Sequence, residues 1–333
     1  MAFLYLTEQG AVLKKCSERL VVEKDEQILL EAPILQVDGV LLFGHIQVTT
    51  PALRLLLEHG LELALFTRRG RFLGRLSSPA SKNIALRRAQ YDRAGDPAFS
   101  LALARTILAG KLANCLELVK RYARNHPDPL LEEKISGLQD YLNLTAAQPD
   151  LDSLMGLEGA AARLYFEALA AMLRQPLGFS SRHRRPAPDP VNALLNLGYT
   201  LVFNELLGLL DGLGLDPYLG FYHQPRYGHA TLASDLLEEF RAPVVDRLTL
   251  NLLNNRTLKP QDFYRHPAGG FYLKDDPRKR YFLEYEKYLS RPRSCPDEAE
   301  DMDFRGLFRR QTERLRRLLL GQSPHYQPVK LSW

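Results

Sequence analysis

The spacing of apolar residues changes once along the chain. Up to about Ser78, short runs rich in valine, isoleucine, leucine and phenylalanine alternate with turn residues such as Asp38-Gly39, which is typical of strands joined by turns. One helix, which ends at Gly60, interrupts this region. After Asp96-Pro97 the apolar residues recur every three to four positions, and this period predicts long helices.

These patterns divide the chain into three parts. Residues 1–78 are expected to form a small β-rich domain, residues 79–96 a polar and basic linker, and residues 97–333 a larger all-α domain. The fold class is therefore α+β. The most apolar stretch, from Ala193 to Leu210, contains amide and carboxylate side chains, so we expect a buried helix there rather than a membrane span.

Composition limits the cellular setting more than the function. The net charge of +5 is compatible with nucleic-acid binding but does not by itself indicate it. The three cysteines lie far apart, which favours a reducing cytoplasm over a disulfide framework. The N-terminus lacks the basic lead and cleavage-like site of a signal peptide. We therefore expect a soluble, cytoplasmic protein.

An acidic residue lies beside the apolar stripe of one predicted helix. Leu154, Ala161 and Tyr165 recur at helical spacing and form the stripe. Glu158 lies on or next to it. A buried carboxylate is costly unless it is paired, protonated or bound to a metal. A salt bridge to an arginine such as Arg163 would explain it, and so would a functional role.

A second group of acids belongs to a helix predicted from Thr231 to about Arg241 and stopped near Pro243. Asp235, Glu238 and Glu239 stand at positions i, i+3 and i+4, so one helix face carries three carboxylates. Such a face is usually solvated surface. A bound cation or a basic partner would instead turn the mutual repulsion into attraction.

A histidine precedes these acids in a loop or at a helix end. His223 closes the segment Gly220-Phe221-Tyr222-His223, and a lone histidine in such a place is more often a structural residue than a ligand. Two carboxylates and one imidazole together, however, suit a hard divalent cation such as Mg²⁺ or Mn²⁺. A structural zinc site would prefer several thiolates and imidazoles.

These frames resemble those of the CRISPR-associated protein one family, the DNA integrase and nuclease of spacer acquisition. The family's Gly-x-Glu-Gly/Ala, Gly-Phe-x-His and Asp-Leu-x-Asp/Glu frames are matched by residues 156–159, 220–223 and 235–238. Segments 44–48, 70–75 and 185–196 are also similar, so the resemblance spans nearly the whole chain. One departure is Glu238, where many relatives have aspartate.

The resemblance implies a site and a reaction. Glu158, His223 and Glu238 are the expected ligands of Mg²⁺ or Mn²⁺, and Asp235 beside them completes the expected catalytic set. The reaction is attack by a DNA 3′-hydroxyl on a phosphodiester, in adaptive antiviral defence. The resemblance also implies double-stranded and branched DNA as substrates. It further implies a homodimer formed through the β-rich domain, a helical domain that carries the active site, and a complex with the small second CRISPR-associated protein.

Several basic residues are candidates for DNA contact, because guanidinium groups match phosphate oxygens. Those close in sequence to the expected ligands or to the Pro-Asp-Pro turn are Arg163, Arg182, Arg184, Arg185 and Arg226, and those in or near the linker are Lys82, Arg87 and Arg88. For any single member, an ordinary solvated surface position explains the residue equally well.

Two other functions remain open at this point. One is a non-catalytic nucleic-acid-binding scaffold of the same fold, and the other is a structure-selective repair nuclease with the same site. Near the C-terminus, the run from Phe304 to Leu320 predicts an amphipathic packing helix. The tail from His325 onwards is expected to be flexible and available to dock a partner.

Overall fold

The chain folds into two compact units. The structure, a computed structural model, describes residues 2–78, 83–294 and 300–331. The first unit consists of Met1–Ala80 and Lys274–Glu286, and the second of Ser81–Leu273 and Lys287–Trp333. Strands make up most of the first unit and helices most of the second, so the predicted α+β class is confirmed.

The first unit is built on two four-stranded sheets. Its strands are β1 (Ala2–Leu6), β2 (Val12–Cys16), β3 (Arg19–Lys24), β4 (Gln27–Pro33), β5 (Val37–Phe43), β6 (Gln47–Val48), β7 (Glu62–Phe66) and β8 (Phe72–Leu76), and its helix α1 is Thr50–Glu58. One sheet has the order β1-β5-β7-β8, in which only β8 is antiparallel to its neighbour. The other has the order β4-β3-β2-β6 and contains an antiparallel meander of β2, β3 and β4. A shared apolar core joins both sheets to α1.

The second unit consists mainly of helices. They are α2 (Ile84–Ala94), α3 (Pro97–Asn125), α4 (Pro129–Leu144), α5 (Leu151–Ala171), α6 (Pro190–Leu213), α7 (Thr231–Phe240), α8 (Arg247–Asn254), the end of α9 (Asp275–Leu289) and α10 (Phe304–Leu319). A short hairpin of β9 (Phe263–Arg265) and β10 (Phe271–Leu273) interrupts the region predicted to be all-α. Helices α3 and α6 are long and apolar enough to cross a membrane. However, 61% and 56% of their most apolar windows are buried inside the protein, as in core helices.

The first part of α9 belongs to the strand-rich unit, although it lies far along the chain. The ring of Phe282 stacks on Tyr5, with 4.8 Å between ring centroids, and packs on Phe43 at 4.7 Å. The strand-rich unit is therefore not the single segment 1–78. The helical spacing of apolar residues predicts that α9 forms. It does not predict against which of the two cores the helix packs.

The segment predicted as a basic linker contains helix α2, which packs in the helical unit; residues 79–82 of that segment lie outside the described residues. The buried Gln90 donates through Nε2 to the carbonyls of Asp216 and Leu219, both at 2.8 Å. The backbone N–H of Asp216 donates to Gln90 Oε1, also at 2.8 Å. Besides Gln90, only Leu86 of α2 is buried among its described residues, so the hydrophobic pattern did not mark this helix as part of a core.

The chain remains helical past Pro243, which differs from the predicted stop. Helix α7 ends at Phe240, but a π-helical segment, Arg241–Asp246, continues directly into α8. Proline lacks the N–H that a regular α-helix requires, and Pro243 lies within this π-helical segment, where the α-helical pattern is interrupted. The hydroxyl of Tyr288 donates to the carbonyl of Pro243 at 2.7 Å. The segment after the site helix is therefore part of the core.

The C-terminal tail is packed against the helical unit up to residue 331, so the prediction of a flexible tail is wrong for these residues. Tyr326, Val329 and Leu331 are buried. The backbone N–H of Val329 donates to Glu239 Oε2 at 2.8 Å, and that of Leu331 donates to Asn114 Oδ1 at 3.1 Å. The tail thus binds to both α3 and α7 through backbone groups, which a side-chain pattern does not reveal.

Burial of Glu239 beneath this tail predicts a pH-dependent stability. Burial raises the pKa of Glu239 to about 7, although hydrogen bonds from Tyr326, Val329 and Gln311 act in the opposite direction. Because the folded-state pKa lies above the ordinary value of 4.5, this contribution to stability is complete below about pH 4.5 and is lost as the pH rises through about 7. We expect the loss to reach about 3 kcal/mol at pH 8. The melting temperature of the wild type should fall between pH 5 and pH 8 more steeply than that of Glu239→Gln. Parallel pH profiles would contradict the prediction.

Candidate active site

Helix α5 positions Glu158. The helix begins at Asp150, whose side chain accepts a hydrogen bond from the backbone N–H of Ser153 at 2.7 Å. Leu154, Ala161 and Tyr165 are buried, as the stripe predicted. The Glu158 side chain is 25% exposed and lines a cavity of about 600 Å³ in the helical unit. Its position beside the stripe therefore directs the carboxylate into this cavity.

Helix α7 is buried along its whole length, so its three acids are not a solvated surface. They also do not form one cluster. Glu238 lines the same cavity as Glu158. Glu239 accepts hydrogen bonds from the Tyr326 hydroxyl at 2.5 Å and from Gln311 Nε2 at 2.8 Å. The i and i+3 acids thus serve the candidate site, whereas the i+4 acid secures the tail.

Asp235 holds the segment that carries the histidine. Its Oδ2 accepts from the backbone N–H groups of Phe221 at 2.7 Å and Tyr222 at 3.0 Å. Its Oδ1 accepts from the His223 backbone N–H at 2.9 Å. A Cβ atom on Gly220 would lie 2.6 Å from Asp235 Oδ2, so only glycine lets the chain pass this close. This geometry explains physically why the Gly-Phe-x-His and Asp frames occur together.

The same aspartate orients the His223 ring. His223 Nδ1 lies 2.7 Å from Asp235 Oδ1, and Nε2 lies 3.9 Å from Glu238 Oε1. Burial lowers the pKa of His223, but the hydrogen bond to Asp235 and the charge of Glu238 raise it overall. When the imidazole is neutral with its proton on Nδ1, its Nε2 lone pair is free for a ligand. Asp235 itself does not line the cavity, so the structure places it behind His223 as a positioning residue.

If this site binds the Mn²⁺ expected from the sequence, replacing Asp235 by asparagine should weaken that binding by about 10- to 100-fold. The amide presents an N–H₂ group where the carboxylate accepts several N–H donors, so both the loop and the ring lose their support. The pKa of His223, followed by NMR, should also fall, because Asp235 raises it. Asp92→Asn, which changes an exposed acid on α2, serves as the control. An unchanged pKa of His223 would contradict the positioning role.

A buried lysine joins the two glutamates. Lys111, on α3, has its Nζ in contact with Glu158 Oε1 and 2.6 Å from Glu238 Oε2. The hydroxyl of Tyr222 donates to Glu158 Oε2 at 3.2 Å. Glu158 is therefore ion-paired, as one interpretation of the sequence held, but its partner is Lys111 rather than Arg163. Lys111 is the only charged residue between Arg105 and Glu117, and that isolation in an apolar stretch was the signal that could have identified it.

Arg241 provides a second cation for Glu238. Its Nε lies 2.9 Å from Glu238 Oε1, and its guanidinium lies 4.5 Å from the centroid of the Tyr199 ring. Burial raises the pKa of Glu238, but the positive charges of Arg241 and Lys111 lower it by more than burial raises it. The net pKa is below the ordinary value, so the carboxylate is ionised. Glu238 Oε2 is buried without an aligned hydrogen-bond donor among the described residues, despite its contact with Lys111.

Further residues of the cavity were not recognised in the sequence. Asp246 accepts hydrogen bonds from the hydroxyls of Tyr165 at 2.7 Å and Tyr199 at 2.5 Å. Burial raises the pKa of Asp246 to about 6, although these hydrogen bonds and Arg241 act in the opposite direction. The ring of Tyr199 in turn packs against Arg241, the partner of Glu238. Asp246 therefore helps to hold Arg241 in place through Tyr199.

The predicted DNA-binding residues separate into two groups. Arg163, Arg182 and Arg184 line the cavity. Arg182 is braced by Asn196 Oδ1 at 2.7 Å and Asn192 Oδ1 at 3.1 Å. The predicted residues that do not line this cavity are Arg185, Arg226, Arg87 and Arg88, and Lys82 lies outside the described residues. Arg87 donates through Nε to the carbonyl of Gly214 at 3.2 Å, and Arg88 lies 4.0 Å from Asp92.

Known proteins match the chain over most of its length. A family profile described as CRISPR associated protein Cas1 matches residues 4–287. A CRISPR-associated endonuclease Cas1 from Moorella thermoacetica is 35% identical over 291 residues, which cover 85% of each chain. A CRISPR-associated exonuclease Cas4/endonuclease Cas1 fusion from Geobacter sulfurreducens is 36% identical over 331 residues. That match covers 97% of this chain, which spans 59% of the fusion.

Solved structures share the fold. A chain in a Cas6-RT-Cas1–Cas2 complex is 28% identical with a TM-score of 0.81, and the match covers 98% of this chain and 36% of that longer one. A casposase bound to integration product is 22% identical with a TM-score of 0.86, and covers 98% and 93% of the two chains. At that identity the second likeness shows the fold alone.

Proposed function

The chain belongs to the Cas1 family of CRISPR-associated proteins, and we propose that it is a metal-dependent DNA endonuclease and integrase that inserts spacers into a CRISPR array. In the reaction, a DNA 3′-hydroxyl attacks a phosphodiester of the target strand, so that a new phosphodiester forms and the 3′-oxygen of the attacked strand leaves as a hydroxyl. The observation that carries the proposal is the convergence of Glu158, His223 and Glu238 on one cavity that arginines also line. An in-line displacement at phosphorus needs no covalent enzyme intermediate, so no serine or cysteine nucleophile is required.

The donor set fits Mg²⁺ or Mn²⁺, which accept carboxylate oxygen and imidazole nitrogen. Glu238 Oε2 is buried without an aligned donor, and His223 keeps Nε2 available because Asp235 holds Nδ1. Within the described ranges, no three His, Cys, Asp or Glu side chains are arranged to hold one ion. The ammonium of Lys111 lies between the two carboxylates instead. We infer that a divalent ion binds to these three ligands by replacing that ammonium.

The chemistry divides between the ion and the chain. A bound Mg²⁺ or Mn²⁺ supplies polarisation of the phosphodiester and activation of the attacking hydroxyl. Arg163, Arg182 and Arg184 bind the phosphates of the DNA at the cavity, because guanidinium forks match phosphate oxygens. Arg241 keeps Glu238 ionised, and Asp235 keeps the His223 ring in its ligand orientation.

We also propose a homodimer and a complex with Cas2, both in the cytoplasm. On the edge strand β4, Ile28 is 63% exposed and Leu29 is 48% exposed, and a second copy of the strand-rich unit suits this apolar edge. One structural neighbour is part of a Cas1–Cas2 complex, which supports the Cas2 partnership. Relatives that are 35% and 36% identical are named endonucleases, which supports a nucleic acid as the substrate.

The test is strand transfer on a labelled branched DNA by the purified chain with Cas2, in Mg²⁺, Mn²⁺ or EDTA. We expect product in either metal, none in EDTA, and recovery when excess Mn²⁺ is added back. The rival is a non-catalytic scaffold, which the Lys111 ion pairs favour because they neutralise the charge of both glutamates without metal. DNA binding without a metal-dependent product would establish the scaffold instead.

A further inference from the structure

A second cavity lies in the helical unit, apart from the candidate active site. It has a volume of about 210 Å³ and is lined by residues near the end of α3, by residues of α8 and its C-terminal end, and by Arg174 after α5. It shares no lining residue with the active-site cavity. Since one water occupies about 30 Å³ of liquid volume, the space admits a phosphate group with several waters.

The lining of this cavity is basic. Arg121, Arg174 and Arg247 contribute guanidinium groups, and His126 Nε2 contacts the guanidinium of Arg174. The lining residues that the structure describes include four asparagines but no aspartate or glutamate. Glu117, one turn before Arg121 on α3, is directed to Arg124 instead, at 2.9 Å. The positive charge of the cavity is therefore not neutralised from within its own wall.

Arg247 is half-buried and lies close to two other arginines, Arg121 and Arg293. Burial lowers the pKa of Arg247, and the nearby Arg121 and Arg293 lower it further, while the Tyr288 hydroxyl acts in the opposite direction. A half-buried guanidinium among other guanidinium groups is unfavourable unless an anion joins them. Because it is half-buried, Arg247 differs from arginines whose side chains extend into solvent.

The wall is also pre-organised. The backbone N–H of Arg174 donates to Asn254 Oδ1 at 2.9 Å, and Asn254 Nδ2 donates to the carbonyl of Met172 at 2.8 Å. The Arg174 guanidinium lies over the Tyr122 ring, with its carbon 6.0 Å from the ring centroid. The guanidinium of Arg121, in contrast, has no hydrogen bond or ion pair with any described residue. Arg174 is therefore held in place, and the guanidinium of Arg121 is available to a ligand.

We propose that this cavity is a second phosphate-binding site, in which Arg121, Arg174 and Arg247 bind a phosphate group. Guanidinium groups bind phosphate oxygens through paired N–H donors, and the asparagine amides add neutral donors. The identification of its source as a DNA backbone rests on the proposed function. In that case the chain contacts DNA both at the active-site cavity and here.

The test uses the double variant Arg121→Gln/Arg174→Gln, and Arg124→Gln as a matched control. Arg124 lies on the same helix, is paired with Glu117 and does not line the cavity. Binding of a short labelled duplex is measured by fluorescence anisotropy in EDTA over a range of salt concentrations. We expect the double variant to bind about tenfold more weakly, with the slope of log K against log[salt] reduced by about 1 to 2. The control should stay within about twofold of the wild type.

A second arm measures the thermal shift caused by inorganic phosphate. Loss of both DNA affinity and the phosphate shift in the double variant identifies the DNA backbone as the source. Loss of the phosphate shift alone identifies a free phosphate. If neither changes, the cavity is not a phosphate site. Because both arms run without metal, they are independent of catalysis, so absence of strand transfer would overturn the proposed function and leave this result standing.

Discussion

Glu158→Gln is expected to reduce strand transfer by at least about 1,000-fold, equivalent to about 4 kcal/mol in activation free energy. Glutamine keeps the size of the side chain but cannot supply a charged oxygen to a divalent ion, and the ion is proposed to polarise the phosphodiester. Mn²⁺ binding, measured by calorimetry, should weaken in parallel. DNA affinity in EDTA should stay the same or rise slightly, since the change removes a negative charge from a cavity that arginines line.

The matched control is Asp152→Asn, which removes an exposed acid from the first turn of the same helix. It should leave strand transfer within about twofold of the wild type, because a surface substitution away from the cavity changes little. If Glu158→Gln kept more than a tenth of wild-type activity, Glu158 would not be an essential ligand. The scaffold function would then gain support.

Lys111→Met is expected to have opposite effects on metal affinity and on metal-free stability. The ammonium lies where Glu158 and Glu238 converge, so an ion that binds both carboxylates has to displace it. Methionine fills similar space without charge, and Mn²⁺ affinity should rise about tenfold or more because the competing cation is gone. Without metal, removing one member of a buried ion pair should cost about 3 kcal/mol. Addition of Mn²⁺ should restore most of that loss.

Lys120→Met provides the comparison on the same helix, because the only described side chain that Lys120 Nζ contacts is Gln139, whose Oε1 lies 3.4 Å away. It should change neither Mn²⁺ affinity nor metal-free melting temperature appreciably. Calorimetric titration with Mn²⁺ and thermal unfolding in EDTA measure the two effects separately. Equal Mn²⁺ affinity in wild type and Lys111→Met would show that the ammonium does not occupy the position of the ion.

Much of the candidate site could be predicted from local sequence frames. Glu158, His223 and Glu238 do meet at one cavity, as their frames implied. The partner of Glu158 could not be predicted in this way, because Lys111 lies 47 residues away and no local spacing relates them. The different roles of the acidic residues of α7 could not be predicted from the sequence either. Asp235 and Glu239 are both buried acids on one short helix, but one orients His223 and the other binds the tail.

By itself, the sequence determined the class of the two units, most helices and the residue types of the site, because periodicity and motif spacing are local properties. Only the tertiary structure decided that α9 begins in the strand-rich unit, that α2 packs through Gln90, and that the tail lies on Glu239. These outcomes depend on contacts between residues distant in the chain. They are made largely by backbone groups, polar side chains and aromatic rings, which leave no periodic pattern.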